Sequence, residues 1–202
     1  MTTPLFIDSC AWNYLFDSQV VMEEVFPPQE FSLFITREVQ IELLEIRDDG
    51  SDGFDKRPLK RFIEETIARY AVRTTGFFGF RTPSKHQVNV GFGQGGFRPQ
   101  ADRDWYGTPE VQAHVIGKPT RNSTLSHNQA DASLAVRSFN AIVLTNEKKT
   151  KPGPIRLAKE QGGYVLYLRD LPASGLTLKE FVQAERRRFD SAQRLEPPRS
   201  TP

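Results

Sequence analysis

Four short apolar runs, at residues 5–7, 32–35, 141–144 and 164–168, limit most strongly what this chain can become. Each has strand length and reads as a buried strand, and helical-period segments separate them. Thr36 is placed to cap a helix carrying Val39, Leu43 and Ile46 at i, i+4, i+7 spacing. Residues 55–72 carry Phe62, Ile63, Thr66, Ile67 and Tyr70 on one stripe, with charges opposite. An alanine-rich segment with Leu134 and Val136 spans 129–138. Pro154 suits the first turn of a helix through 159, and Gly162-Gly163 ends it. Strands alternating with helices predict an α/β fold: three layers, α/β/α, around a central parallel sheet.

Residues 73–120 interrupt the pattern. Gly76-Phe77-Phe78-Gly79-Phe80 and the glycine-rich stretch 91–97 have no helical period, so the segment reads as an irregular insertion, a hairpin plus loop with a short helix over 109–116. The main domain therefore spans 1–170. Residues 171–202 add a C-terminal helix and a tail. Thr177-Leu178-Lys179-Glu180 is a capping box opening that helix, which carries Phe181, Val182 and Phe189. The proline-containing end, 196–202, reads as a disordered tail.

A chain of 202 residues buries about 70% of its unfolded surface and needs no staples. Cys10 is the single cysteine, which excludes an intramolecular disulfide and a cysteine zinc cluster. No apolar run nears the roughly 20 residues of a membrane span, and Met1-Thr2-Thr3-Pro4 has no signal-peptide character. The expectation is a cytoplasmic protein. His86, His114 and His127 lack zinc-site spacing. Residues 91–96 match G-x-G-x-x-G, but Pro99 and a polar, aromatic stretch follow where a helix should open, so nucleotide-cofactor binding is rejected.

Four acids carry the chemistry. Asp8 ends the first strand, and Glu147 follows the strand 141–144 through Thr145-Asn146. Glu42 and Asp131 lie on helices expected to flank the sheet. Taken singly, Asp8 is equally a helix cap, Glu42 a surface glutamate and Asp131 a first-turn acid complementing the helix dipole. Taken together, two acids at strand ends and two on flanking helices would repel one another unless a cation compensates them. Oxygen-only donors point to Mg²⁺ or Mn²⁺. The net charge is +2, and basic residues cluster at Lys148-Lys149 with Lys151 and at Arg186-Arg187-Arg188. Basic flanks around an acidic site are compatible with a polyanionic substrate.

Four passages resemble the motifs of PIN domains, the metal-dependent ribonuclease fold of VapC-type toxins and of eukaryotic RNA-processing endonucleases. They are Phe6-Ile7-Asp8-Ser9 with Asn13; Ile35-Thr36 through Glu42-Leu43; residues 128–135 around Asp131; and Leu144-Thr145-Asn146-Glu147. The family's last motif usually ends in Asp, where this chain has Glu147. The resemblance covers about two thirds of the chain. It implies an endoribonuclease in which Asp8, Glu42, Asp131 and Glu147 are the catalytic metal ligands. Ser9 and Thr145 would orient water or a carboxylate, with Asn13 and Asn146 near substrate or ligands. Implied partners are RNA and, for a toxin, a cognate antitoxin; a homodimer is admitted. Phe77, Phe78, Phe80, Phe92, Phe97, Trp105 and Tyr106 are either stacking platforms for bases or, the commoner role, packing residues. The competing readings are a catalytically degenerate PIN-like RNA-binding or scaffold module and a structure-specific DNA nuclease.

Overall fold

A computed structural model describes residues 2–50, 53–76, 100–115, 125 and 128–195. Its centre is a five-stranded, all-parallel sheet in the order β3-β2-β1-β4-β5. The strands are β1 (Thr3–Ile7), β2 (Phe31–Thr36), β3 (Arg73–Thr75), β4 (Ile142–Thr145) and β5 (Val165–Tyr167). Leu5, Ile7, Ile35, Ile142 and Leu144 are fully buried, as expected for strands covered on both faces. The α/β/α architecture read from the sequence is the one observed.

Helices α1 (Ser9–Asp17) and α2 (Met22–Val25) connect β1 to β2. Helices α3 (Arg37–Leu44) and α4 (Arg57–Arg69) connect β2 to β3. Before β4 come α5 (Gln100–Tyr106), α6 (Pro109–Val115) and α7 (Gln129–Arg137), and α8 (Pro154–Glu160) joins β4 to β5. A short α9 (Leu171–Ser174) and the long α10 (Leu178–Leu195) follow. Helix α1 packs with α3 and α4, α7 packs with α8, and α3 also meets α7. The chain leaves β1 toward β2, yet β4 pairs with the opposite edge of β1. Such a reversal, here at the carboxyl ends of β1 and β4, is the usual ligand position in open α/β sheets.

Local signals explain most element ends. The Thr36 hydroxyl accepts the Val39 N–H at 3.2 Å and caps α3. Gly162, at φ +95°, closes α8 in a conformation that glycine adopts without strain. The capping box is reciprocal: Thr177 N–H donates to Glu180 at 2.9 Å, and Glu180 N–H donates to the Thr177 hydroxyl at 3.3 Å.

The main departure lies at the start of the expected insertion. Residues 73–75 are not irregular but form β3, pairing in parallel with Phe34, Ile35 and Thr36. A three-residue edge strand reading Arg-Thr-Thr has no apolar run to reveal it. Farther on, 100–106 form α5, which was also read as part of the irregular segment. The glycine-rich stretch 91–96 and the tail 196–202 lie outside the described residues, as do His86 and His127. Among the described residues no helix is long and apolar enough to cross a membrane.

Candidate functional site

Asp8 sits at the N-cap position of α1, with extended backbone, yet its side chain makes no capping bond. The carboxylate turns toward β4 instead. It accepts hydrogen bonds from the Thr145 hydroxyl at 2.6 Å and the Cys10 thiol at 2.9 Å, and the Ser9 hydroxyl lies at 3.4 Å. Asp8 is 2% exposed and Thr145 fully buried. The backbone joins in, with Asp8 N–H donating to the Leu144 carbonyl at 3.0 Å. The helix-cap alternative for Asp8 therefore describes its position and not its side chain.

The turn after β4 is tied to the same place. Glu147 N–H donates to the Thr145 hydroxyl and Asn146 N–H to the Cys10 sulfur, each at 3.2 Å. Arg169 Nε donates to the Asn146 carbonyl at 2.7 Å. Thr145 thus links two acids: it donates to Asp8 and receives the amide of Glu147. Asn146 contributes through its backbone. Cys10 was not singled out from the sequence, although its place two residues after Asp8 puts it in the first turn of α1.

Helices α3 and α7 bring the other two acids. Their N-terminal turns are fastened by the Ser133 hydroxyl, which bonds the Thr36 hydroxyl and the Ala130 carbonyl at 2.8 Å each. Small buried residues, Ala130, Ala132 and Ser133, let α7 approach closely. Burial raises Glu42 from the ordinary carboxylate range to about 7; Ser9 hydrogen bonding opposes this, and Asp8 and Asp131 add to it. Glu147 also rises to about 7, by burial first, then Asp131 and Asp8, against the pull of Lys151. The same field reaches Tyr167, pushed up to about 12 by burial and then by Glu147. Each raised glutamate thus feels both Asp8 and Asp131.

These acids are neighbours by charge without forming a closed cage. Among the described residues no three His, Cys, Asp or Glu side chains are grouped tightly enough to ligate one ion. A cation of the chain's own stands there: Lys151 donates to Asp131 at 3.2 Å and, more closely, to Glu147. Sequence reading treated Lys151 only as a basic flank. Its i, i+4 spacing from Glu147 was the available signal. Asn13 is exposed on α1 and is not among the groups bonded to Asp8.

Trp105 and Tyr106 are packing residues. Trp105 donates from its indole nitrogen to Gln161 and meets Phe139 edge-on, with centroids 5.3 Å apart. Tyr106 is buried with Val111, Ala132 and Val136. The five phenylalanines of the insertion lie outside the described residues. Comparison with protein-family models, curated proteins and solved structures yields no match.

Proposed function

We propose that this chain is a divalent-metal-dependent endoribonuclease of the PIN type. The observation that carries the reading is that Glu42 and Glu147 each feel both Asp8 and Asp131, with Asp8 just after β1 and Glu147 just after the neighbouring strand β4. The donor chemistry suits Mg²⁺ or Mn²⁺. All four side chains offer oxygen, and two are raised to about 7 by burial first and then by the neighbouring acids. When bound, such a cation supplies Lewis acidity toward water and the phosphodiester.

The chain's own residues do the rest. Asp8, oriented by Thr145 and Cys10, is the first choice as a direct ligand. Glu42, with a pKa near neutrality, can hold or release a proton at its carboxylate. Ser9, between Asp8 and Glu42, orients those carboxylates. Lys148, Lys149 and Arg169 lie on the turn and strand end beside the acids, with the charge to attract RNA phosphates. A toxin role with a cognate antitoxin remains the specific form of this proposal that growth arrest on expression would support.

The test is cleavage of single-stranded RNA with Mg²⁺ or Mn²⁺, and of branched DNA in parallel. RNA cleavage abolished by EDTA and by Asp8→Asn is expected. Absence of RNA cleavage by protein that binds Mn²⁺ would turn the reading toward a binding or scaffold module. The ion pairs of Lys151 favour that second reading, because they leave less charge for a metal to compensate.

A further inference from the structure

Lys151 occupies the position of a cation, and its backbone is arranged to deliver it there. Its N–H donates to the Lys148 carbonyl at 2.9 Å, closing a turn, and Pro152 restricts the backbone of Lys151, the residue before it. The ammonium joins Asp131, on α7, to Glu147, after β4, so it links two parts of the proposed site. The lysine side chain is 42% exposed, whereas those of Asp131 and Glu147 are 14% and 15% exposed. It enters from solvent and would leave without opening the core. An ammonium and a divalent ion on the same two carboxylates repel each other strongly.

Resting on the metal-site reading above, we infer that Lys151 is a built-in counter-cation. It closes the site when no metal is bound and is displaced from Asp131 and Glu147 when a divalent cation enters. The lysine thus sets the metal concentration at which the site becomes occupied. If Lys151 holds the acids about nine-tenths of the time, apparent metal affinity is lowered about tenfold.

Calorimetric titration of the full chain with Mn²⁺, at one pH and ionic strength, tests this. Lys151→Met is expected to bind Mn²⁺ about tenfold more tightly than the parent protein, with Lys151→Arg close to the parent. Equal or weaker binding by Lys151→Met, while the parent binds, overturns the inference and leaves the metal site standing. Failure of both proteins to bind removes the nuclease reading and this inference together. The unmutated protein offers a check independent of folding. Acylation of Lys151 by an amine-reactive reagent, followed by peptide mass spectrometry, should be faster with saturating Mn²⁺ than without; an unchanged rate overturns displacement.

Discussion

Asp8 holds a capping position without capping, because its carboxylate is taken by the Thr145 hydroxyl of the adjacent strand and by the Cys10 thiol of α1. The glutamates around it show what that concentration of charge costs. Glu42 and Glu147 bind their protons more tightly in the folded chain than at the ordinary value of 4.5, titrating near 7. A group raised by folding favours the folded state at low pH. That advantage is complete below about 4.5 and is lost as pH climbs through 7. Metal-free protein should therefore lose on the order of 1–3 kcal/mol between pH 5 and 8. Thermal melts across that range measure it. The fall should flatten in a Glu42→Gln, Glu147→Gln double variant, and a fall of equal size there would reject the assignment to these two groups.

At the scale of elements, the turn between α8 and β5 shows how a short connection sets register. Gly163 N–H donates to the Ala158 carbonyl at 2.8 Å, and Tyr164 N–H donates to the Ser138 carbonyl at the same distance. This hooks the start of β5 onto the end of α7. A Cβ on Gly163 would stand 2.3 Å from the Ser138 hydroxyl and 2.9 Å from the Ala158 carbonyl, both atoms of buried residues. Gly163→Ala should cost about 1–3 kcal/mol through overpacking. Urea denaturation reads this as a lower midpoint; an unchanged midpoint would show that the turn yields freely. The Gly-Gly pair was read only as a helix stop. Its second member is there for close approach.

Across the whole molecule, α10 is part of the main core. Val182 and Phe189 are buried in the same cluster as the sheet residues, and Phe189 meets Tyr164 edge-on at 4.9 Å. Arg186 pairs with Glu30 and lies over the Phe31 ring, tying the helix to the start of β2. Phe189→Ala should therefore lower global stability by about 3–5 kcal/mol. Tryptophan fluorescence and far-ultraviolet circular dichroism should report one coincident transition, since fully buried Trp12 sits in that core. Two separated transitions would mean that α10 unfolds on its own.

The sequence by itself determined what depends on near neighbours. Apolar runs marked four of the strands, periodicity and caps marked α3, α4, α7 and α8, and Thr177 with Glu180 marked the start of α10. Alternation of these elements was enough for a parallel α/β sheet, because parallel strands require crossovers. The edge strand β3 escaped because its pairing with β2 comes from across the chain and its own residues are polar. The four acids could be singled out from the sequence, and the placing of Glu42 and Glu147 in the field of Asp8 and Asp131 was a matter of tertiary structure. It depends on strand order, which puts β4 beside β1, and on Ser133 fastening α7 to the end of β2. Only that packing decided that Thr145 would hold Asp8 and that Lys151 would stand between Asp131 and Glu147. Long-range proximity sets both contacts, and local spacing does not encode it.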